Sequence, residues 1–302
     1  MKRKLIQHGM SSLTVSLPKK WVDSNNLSKG DEVEVDTSSG NAVVSAEKSY
    51  RKKKIDVDVS NSSPMIRKMI GACFKSGYDE IHVRFSSHEE LKAVQELIRE
   101  QFAGFEIISQ SRNSITVKNL SKASFEEFQN TLKRFFFVVD CMASDFSKAL
   151  EKDDFDWMMS ISLQKIESDK FADYCRRAIN MGADISTART APLYTIVEQI
   201  EKAADRYKDL CLLIAKNKIK PGKDIKSIAS SIVEFQKEFH SIFSKFDMKK
   251  MPGFGREKEK IQGNINKAIV KCKKDEIKVV SLLDRVLNIL FDLNGPLMAV
   301  HI

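Results

Sequence analysis

The stretch that decides the fold of the N-terminal region is Gly9-Met10-Ser11-Ser12-Leu13-Thr14-Val15-Ser16-Leu17-Pro18-Lys19-Lys20-Trp21. Between residues 13 and 17, leucine and valine alternate with threonine and serine, which is the two-residue period of a strand with one buried face. Pro18 ends this strand, and the residues His8-Gly9-Met10-Ser11 supply a turn back to an earlier strand over 2–6. The stretch therefore predicts a β-hairpin.

A second hairpin follows one or two helical turns predicted over 19–25. Residues 32–36 alternate acidic side chains with valine, residues 38–41 read Ser-Ser-Gly-Asn and form a turn, and residues 42–46 return. Two hairpins this short cannot close a hydrophobic core alone. We therefore expect a second copy of the chain to complete this domain.

The apolar pattern changes its period twice further along the chain, and these changes predict three domains. Residues 1–50 are all β, residues 51–121 form a basic linker and a small α/β domain, and residues 122–302 have helical spacing throughout. Six helices in two groups of three are predicted in the last region, which is typical of a helical bundle. They cover residues 124–150, 154–180, 192–217, 225–246, 257–272 and 275–293.

Composition indicates a soluble protein of several domains. The chain has 302 residues, of which 42% are hydrophobic, and its longest apolar runs are far shorter than the roughly 20 residues of a membrane span. The first eight residues lack the apolar segment of a signal peptide. The five cysteines contain no CxxC pair, which favours reduced thiols over disulfides or zinc ligands. We expect a cytoplasmic protein that does not insert into a membrane.

The chain has a net charge of +9, and the basic excess is densest at the N-terminus, where residues 1–54 contain 11 lysines and arginines against 6 acids. Such an excess indicates a polyanionic partner, either nucleic acid or an acidic membrane surface. Catalysis has little support, because the histidines lack ligand spacing and no serine or cysteine sits in a nucleophile motif. We therefore expect a binding protein and not an enzyme.

The N-terminal segments 3–6, 9–21 and 27–35 resemble the SpoVT/AbrB swapped-hairpin domain, and the resemblance covers nearly all of residues 2–48. The serine-rich turn and the Leu-Pro-Lys-x-Trp strand end are similar to the archaeal form. The resemblance implies an intertwined homodimeric barrel that binds duplex DNA. The DNA-binding residues that it implies are Arg3, Lys4, Ser11, Ser12, Lys19 and Lys20.

These residue types suit a DNA backbone, because lysine and arginine neutralise phosphates and release counterions while hydroxyl groups add hydrogen bonds. For any single lysine, a solvated surface position is an equally good interpretation. Some members of this fold are antitoxins that bind a toxin as well as DNA. Those proteins carry a short disordered tail where this chain carries a folded bundle.

The helical region resembles PhoU, a tandem repeat of three-helix bundles associated with phosphate-responsive control. The resemblance rests on residues 145–150, on 166–169 together with Arg177, and on 197–205. Segments of the α/β region, 77–81 and 104–108, also fit this combination. The resemblance implies a role in phosphate homeostasis.

PhoU bundles carry an acid-x-x-x-acid motif, which Glu201 and Asp205 match. Carboxylates four residues apart project from one helix face, so two facing helices can surround a cation. On the preceding helix, Asp169 has Lys165 at the first motif position, while Asp169 and Asp173 restore the spacing one turn later. The resemblance thus implies a divalent or ferric metal at these four acids. The alternative is a solvated helix face with Lys202, Arg206 and Lys208 as charge partners.

The combined prediction is a homodimeric transcriptional regulator in which the hairpin domain binds operator DNA and the bundle senses or relays phosphate status. The alternative is a PhoU-type adaptor that binds a phosphate transporter or a signalling kinase. In that case the N-terminal domain would serve mainly to dimerise.

Overall fold

The computed structural model describes residues 2–9, 12–37, 42–46, 53–121, 125–182 and 187–302. The chain separates into two compact units, residues 1–52 and 53–302. The predicted domain of residues 1–50 falls within the first unit. The predicted domains of residues 51–121 and 122–302 meet in the second unit, where they pack against each other.

The first unit is built from two antiparallel hairpins and a short helix. Its elements are β1 (Ile6–His8), β2 (Ser12–Thr14), α1 (Lys19–Ser24), β3 (Val33–Asp36) and β4 (Val43–Ala46). β1 pairs with β2, and β3 pairs with β4, in separate two-stranded sheets. The predicted N-terminal strand region is confirmed. The first strand covers Ile6–His8 instead of the predicted 2–6, because these are the residues that pair with β2.

A four-stranded sheet with two helices forms the first part of the second unit. Its elements are β5 (Lys54–Asp58), α2 (Ile66–Lys75), β6 (Glu80–Arg84), α3 (His88–Gln101), β7 (Phe105–Gln110) and β8 (Ser114–Asn119). The strand order is β5-β6-β8-β7, with β5 parallel to β6 and the other pairs antiparallel. Alternate residues of the central strands are buried against α2 and α3, including Ile81 and Val117. The predicted alternation of strands and helices is confirmed.

The rest of the second unit is helical. Its helices are α4 (Phe125–Lys152), α5 (Phe155–Leu163), α6 (Lys165–Asn180), α7 (Thr187–Asn217), α8 (Lys223–Ser244), α9 (Met251–Lys271), α10 (Ile277–Asp292) and α11 (Asn294–His301). All eight contribute buried side chains to one continuous apolar core. In the ranges that the structure describes, no helix is long and apolar enough to cross a membrane.

The structure divides one of the six predicted helices and adds a further helix at the end of the chain. The helix predicted over 154–180 is interrupted at Gln164, whose backbone N–H donates to the Ile161 carbonyl three residues back and so tightens and ends α5. Beyond residue 293, where the last predicted helix ends, the chain continues as α11, which contains Pro296. Proline is tolerated there because it lies in the first turn, where its missing N–H has no partner to lose.

The helix predicted over 257–272 begins earlier in the structure, since residues 251–255 form the start of α9. Pro252 occupies one of the first two helical positions, where proline is favoured. Phe254 is fully buried and stacks on Phe235 of α8, with ring centroids 3.9 Å apart. This packing favours a helix despite Gly253 and Gly255.

The five cysteines are free thiols. Cys175 and Cys211 are completely buried among the bundle helices. Burial raises the pKa of the Cys211 thiol to about 12, so this side chain stays protonated and acts as a small apolar core residue.

Arg177 of α6 joins the bundle to the α/β layer. Its guanidinium donates to the carbonyl oxygens of Phe74 and Tyr78, at 2.8 and 2.7 Å, and to Asp79 Oδ1 at 2.7 Å. The same group lies over the rings of Phe74 and Phe105 at 5.2 and 5.0 Å. Both partners of the ion pair are buried. Five contacts to one planar cation therefore fix α6 against α2, β6 and β7.

The end of α6 adds further contacts to this joint. Asn180 Nδ2 donates to the Lys75 carbonyl at 2.8 Å. Gly77, at φ +83°, follows α2 and lies so close to Met181 that a Cβ atom there would come within 2.9 Å of Met181 Cγ. The turn after α2 therefore requires glycine both for its backbone conformation and for its contact with the bundle.

We expect the substitution Arg177→Met to lower the free energy of unfolding by about 3–5 kcal/mol, because it leaves the buried Asp79 carboxylate without its cation. The matched control is Arg112→Met, at an exposed position in the β7–β8 turn. Urea unfolding followed by circular dichroism measures both. Equal effects of the two substitutions would contradict the role given to the Arg177 joint.

Candidate nucleic-acid interface and acidic cluster

The described residues of the first unit form no buried apolar core within a single chain. In the described part of residues 1–52 no apolar side chain is buried. Five large apolar side chains lie about half or more exposed instead: Leu5, Ile6, Leu13, Val15 and Val35. Exposure of so many neighbouring apolar groups is costly in water and marks an interaction surface.

Lys19 and Lys20 lie in the first turn of α1, which begins after the four residues that follow β2. The Pro18 carbonyl accepts from the backbone N–H groups of Trp21 and Val22 at 2.9 and 3.0 Å and so starts the helix. Trp21 is half-buried, whereas both lysines are exposed. The local fold thus anchors one side of the helix start and leaves the two ammonium groups accessible to a polyanion.

The other predicted DNA contacts lie around the first hairpin. Arg3 and Lys4 are exposed in the segment that precedes β1, and Ser12 is exposed at the start of β2 opposite His8. Ser11 falls outside the described residues. The hairpin turn includes Gly9 at φ +72°, a conformation that favours glycine. These residues stay predicted contacts, and their exposure is compatible with that role.

The turn between α1 and β3 is held by the Lys-Gly-Asp element. The Asp31 carboxylate accepts from the Ser28 backbone N–H at 2.7 Å, and the Asp31 N–H donates to the Ser28 carbonyl at 3.1 Å. Gly30, at φ +102°, allows the reversal between them. The aspartate therefore closes the turn, while Lys29 stays exposed.

Residues 9–53 match the family model described as "Antidote-toxin recognition MazE, bacterial antitoxin". The match begins directly after β1 and covers β2, α1 and the second hairpin, β3 and β4. It supports a SpoVT/AbrB-type domain and is consistent with a DNA-binding regulator. No curated protein and no solved structure matches the chain.

The four acids predicted to bind metal lie together between α6 and α7, but Lys165 lies among them. Its ammonium pairs with Asp169, with Glu201 Oε1 at 3.7 Å and with Asp205 Oδ1 at 3.3 Å. The Lys165 side chain is only 6% exposed. Burial lowers the pKa of Lys165, and the carboxylates of Glu201 and Asp205 oppose this shift.

The fourth acid, Asp173, pairs with a second set of cations. Arg176 Nη2 lies 3.0 Å from Asp173 Oδ1, and the same guanidinium pairs with Glu198 and Glu201 on α7. Lys75 of α2 approaches Asp173 at 3.4 Å. Burial raises the pKa of Asp173, while Arg176 and Lys75 act in the opposite direction.

Together these groups form a charge-balanced acidic cluster. Lys202 and Lys208 pair with it from the more exposed side, at Glu198 and Asp205. Five carboxylates therefore face five cations of the chain itself: Asp169, Asp173, Glu198, Glu201 and Asp205 against Lys75, Lys165, Arg176, Lys202 and Lys208. Of the three predicted charge partners, Lys202 and Lys208 pair with acids of the cluster, whereas Arg206 pairs with Asp209 outside it. Lys75 and Arg176 were not among the predicted partners.

A metal ion does not fit this arrangement while Lys165 is protonated, because the ammonium takes the position between the carboxylates that a cation would need. Among the described residues, no group of three or more histidine, cysteine, aspartate or glutamate side chains is arranged to hold a metal ion. Metal binding at Glu201, Asp205, Asp169 and Asp173 stays a prediction. It can be tested by substituting Lys165.

We expect Mn²⁺ or Mg²⁺ to leave the melting temperature of the natural chain unchanged and to raise that of the Lys165→Ala variant. Removing the ammonium leaves Asp169 without a cation and takes one of their two partners from Glu201 and Asp205, so a divalent cation can replace the lost charge. Differential scanning calorimetry with and without metal measures this effect. The control is Lys165→Ala combined with Glu201→Gln, which should lose the response. A metal response of the natural chain that disappears in Glu201→Gln would show that Lys165 does not exclude the ion.

Proposed function

We propose that the protein is a homodimeric, non-enzymatic transcriptional regulator that binds duplex DNA through residues 1–52. The observation that carries this proposal is the combination of the 9–53 family match with a hairpin unit that leaves both its apolar and its basic side chains exposed. The matched family is named for toxin recognition. In this chain the hairpin unit is followed by a large folded unit. From the matched family we therefore transfer DNA binding, and not toxin binding, to this protein.

The exposed apolar side chains support dimerisation. Leu13 in β2 and Val15 directly after it are exposed. The alternation of residues 13–16 predicts these two side chains on one side of the extended chain, with Thr14 and Ser16 on the other. In the proposed dimer, the hairpins of two chains pack these apolar sides together into a swapped barrel. Such packing would supply the core that the single chain lacks.

We expect Leu13→Asp to convert the dimer to a monomer, because the change places a charge in the proposed apolar interface. Ser16→Asp introduces the same charge at an exposed position after β2, which the alternation predicts on the opposite side of the chain, and should leave the dimer intact. Analytical ultracentrifugation distinguishes the two states. A Leu13→Asp variant that stays dimeric would rule out this interface.

The basic side chains support binding to the DNA backbone. A two-fold dimer presents Lys19 and Lys20 twice, so four ammonium groups can contact phosphates. Each lysine contact that is lost should reduce the slope of log affinity against log salt by about 0.9. The salt dependence therefore reports directly on whether these lysines contact DNA.

We expect Lys19→Ala combined with Lys20→Ala to weaken binding to duplex DNA by about tenfold or more and to reduce the salt slope by up to about four. The matched control removes two exposed lysines of the second unit, Lys68 and Lys133. Fluorescence anisotropy over a range of salt concentrations measures both quantities. An unchanged affinity and slope would reject DNA binding by α1 and favour the adaptor alternative.

We propose that the bundle relays a signal to the DNA-binding unit through α6. This helix carries Asp173 and Arg176 of the acidic cluster next to Arg177, which binds Asp79. The Asp79 carboxylate also accepts from the backbone N–H of Lys53 at 3.1 Å, where the chain enters the second unit. A ligand that favours one packing of α6 over another would therefore act on the segment that leads to residues 1–52.

The signal that we propose is phosphate status, on the ground of the resemblance of the helical region to PhoU. We expect the protein to occupy sites near phosphate-transport genes and to change its occupancy between high and low phosphate. Genome-wide mapping of bound sites under the two conditions measures this. Occupancy that is indifferent to phosphate would leave DNA binding intact and remove the phosphate role.

A further inference from the structure

One end of the bundle carries eight lysines in two neighbouring turns. The first turn connects α7 to α8 and the second connects α9 to α10. We call residues 216–223 and 269–278 the lysine end. Its lysines are Lys216, Lys218, Lys220, Lys223, Lys271, Lys273, Lys274 and Lys278, and all are exposed.

A buried carboxylate holds the two turns side by side. Glu276 Oε1 accepts from the Gly222 backbone N–H at 2.8 Å, and its Oε2 accepts from the Lys273 N–H at 2.8 Å. Ile219 and Pro221 are buried in the first turn, between exposed lysines. The backbone of both turns is thus anchored, and the lysines project from a fixed surface.

The charge of the lysine end is not balanced locally. Within the described residues, none of these eight lysines forms an ion pair with a carboxylate. The exposed acids nearby are Asp224 and Asp275. In the acidic cluster, by contrast, every carboxylate is paired with a cation of the chain. A surface with this excess attracts a polyanion.

The same surface also exposes aliphatic side chains. Val270, in the last turn of α9, is 86% exposed, and Ile269 and Ile277 are each 50% exposed. These three side chains lie within the same lysine-rich segment, 269–278. Phosphate groups of a duplex explain the lysines but give no role to valine and isoleucine, whereas an anionic bilayer offers both phosphate headgroups and an apolar boundary.

We propose that the lysine end binds the surface of an anionic lipid bilayer. The lysines contact the headgroup phosphates, and Val270, Ile269 and Ile277 enter the boundary between the headgroups and the acyl chains. Binding is peripheral, and it does not depend on the proposed DNA-binding function. It would place the second unit at a membrane surface when anionic lipid is accessible.

The test is co-sedimentation of the full chain with vesicles of phosphatidylcholine alone and of phosphatidylcholine mixed with phosphatidylglycerol. We expect binding to the mixed vesicles only. A charge variant, with glutamine at Lys218, Lys220, Lys273 and Lys274, should bind at least about tenfold more weakly. An apolar variant, Val270→Ser with Ile277→Ser, should also bind several-fold more weakly.

The matched control carries glutamine at four exposed lysines outside this end, Lys68, Lys133, Lys249 and Lys250. It removes the same charge and should keep most of the lipid affinity. Circular dichroism melting checks that each variant is folded. Absence of binding to the mixed vesicles, or equal losses in the control and the charge variant, would overturn the proposal. A third result would also overturn the proposal: the charge variant loses binding to duplex DNA, and the apolar variant keeps full lipid affinity. Nucleic acid would then be the partner of this surface.

Discussion

The guanidinium of Arg177 lies where the sheet, α2 and the bundle helix α6 meet, and the arrangement of the second unit depends on it. Its partner Asp79 receives hydrogen bonds from Arg177, from the Lys53 backbone and, at 3.4 Å, from the Asn119 side chain at the end of β8. A buried carboxylate with several donors is stabilising only while every donor is present. The joint is therefore specific, and it makes residues 53–121 part of the same unit as the bundle.

The acidic cluster lies on the same helix as this joint and shows why a motif in a sequence can mislead. Glu201, Asp205, Asp169 and Asp173 do come together as their spacing predicts. Their chemistry is set by Lys165, which the same motif comparison places at an acid position. A buried ammonium surrounded by carboxylates is an internal counter-ion, and its hydrogen bonds hold α6 and α7 together as a bound cation would.

Periodicity was sufficient to predict most elements, because it reports directly on which side of a strand or helix is buried. The alternation of Leu13 with Thr14 predicts a strand, and the spacing from Phe128 to Leu150 predicts most of α4. The interruption at Gln164 and the helical start at Pro252 could not be predicted, since they depend on packing against distant helices. Arg176 and Lys75 were missed for the same reason, as their partners lie on other elements of the sequence.

The missing core of residues 1–52 has a consequence for how the proposed regulator responds to its own abundance. If the apolar sides of the hairpins are covered only by a second copy, folding of this unit is a second-order process in protein concentration. At low abundance, the assembled fraction then rises more steeply than the total amount of protein. Gene dosage and the rate of synthesis would thus affect the fraction of assembled dimer, in addition to any ligand that binds the bundle.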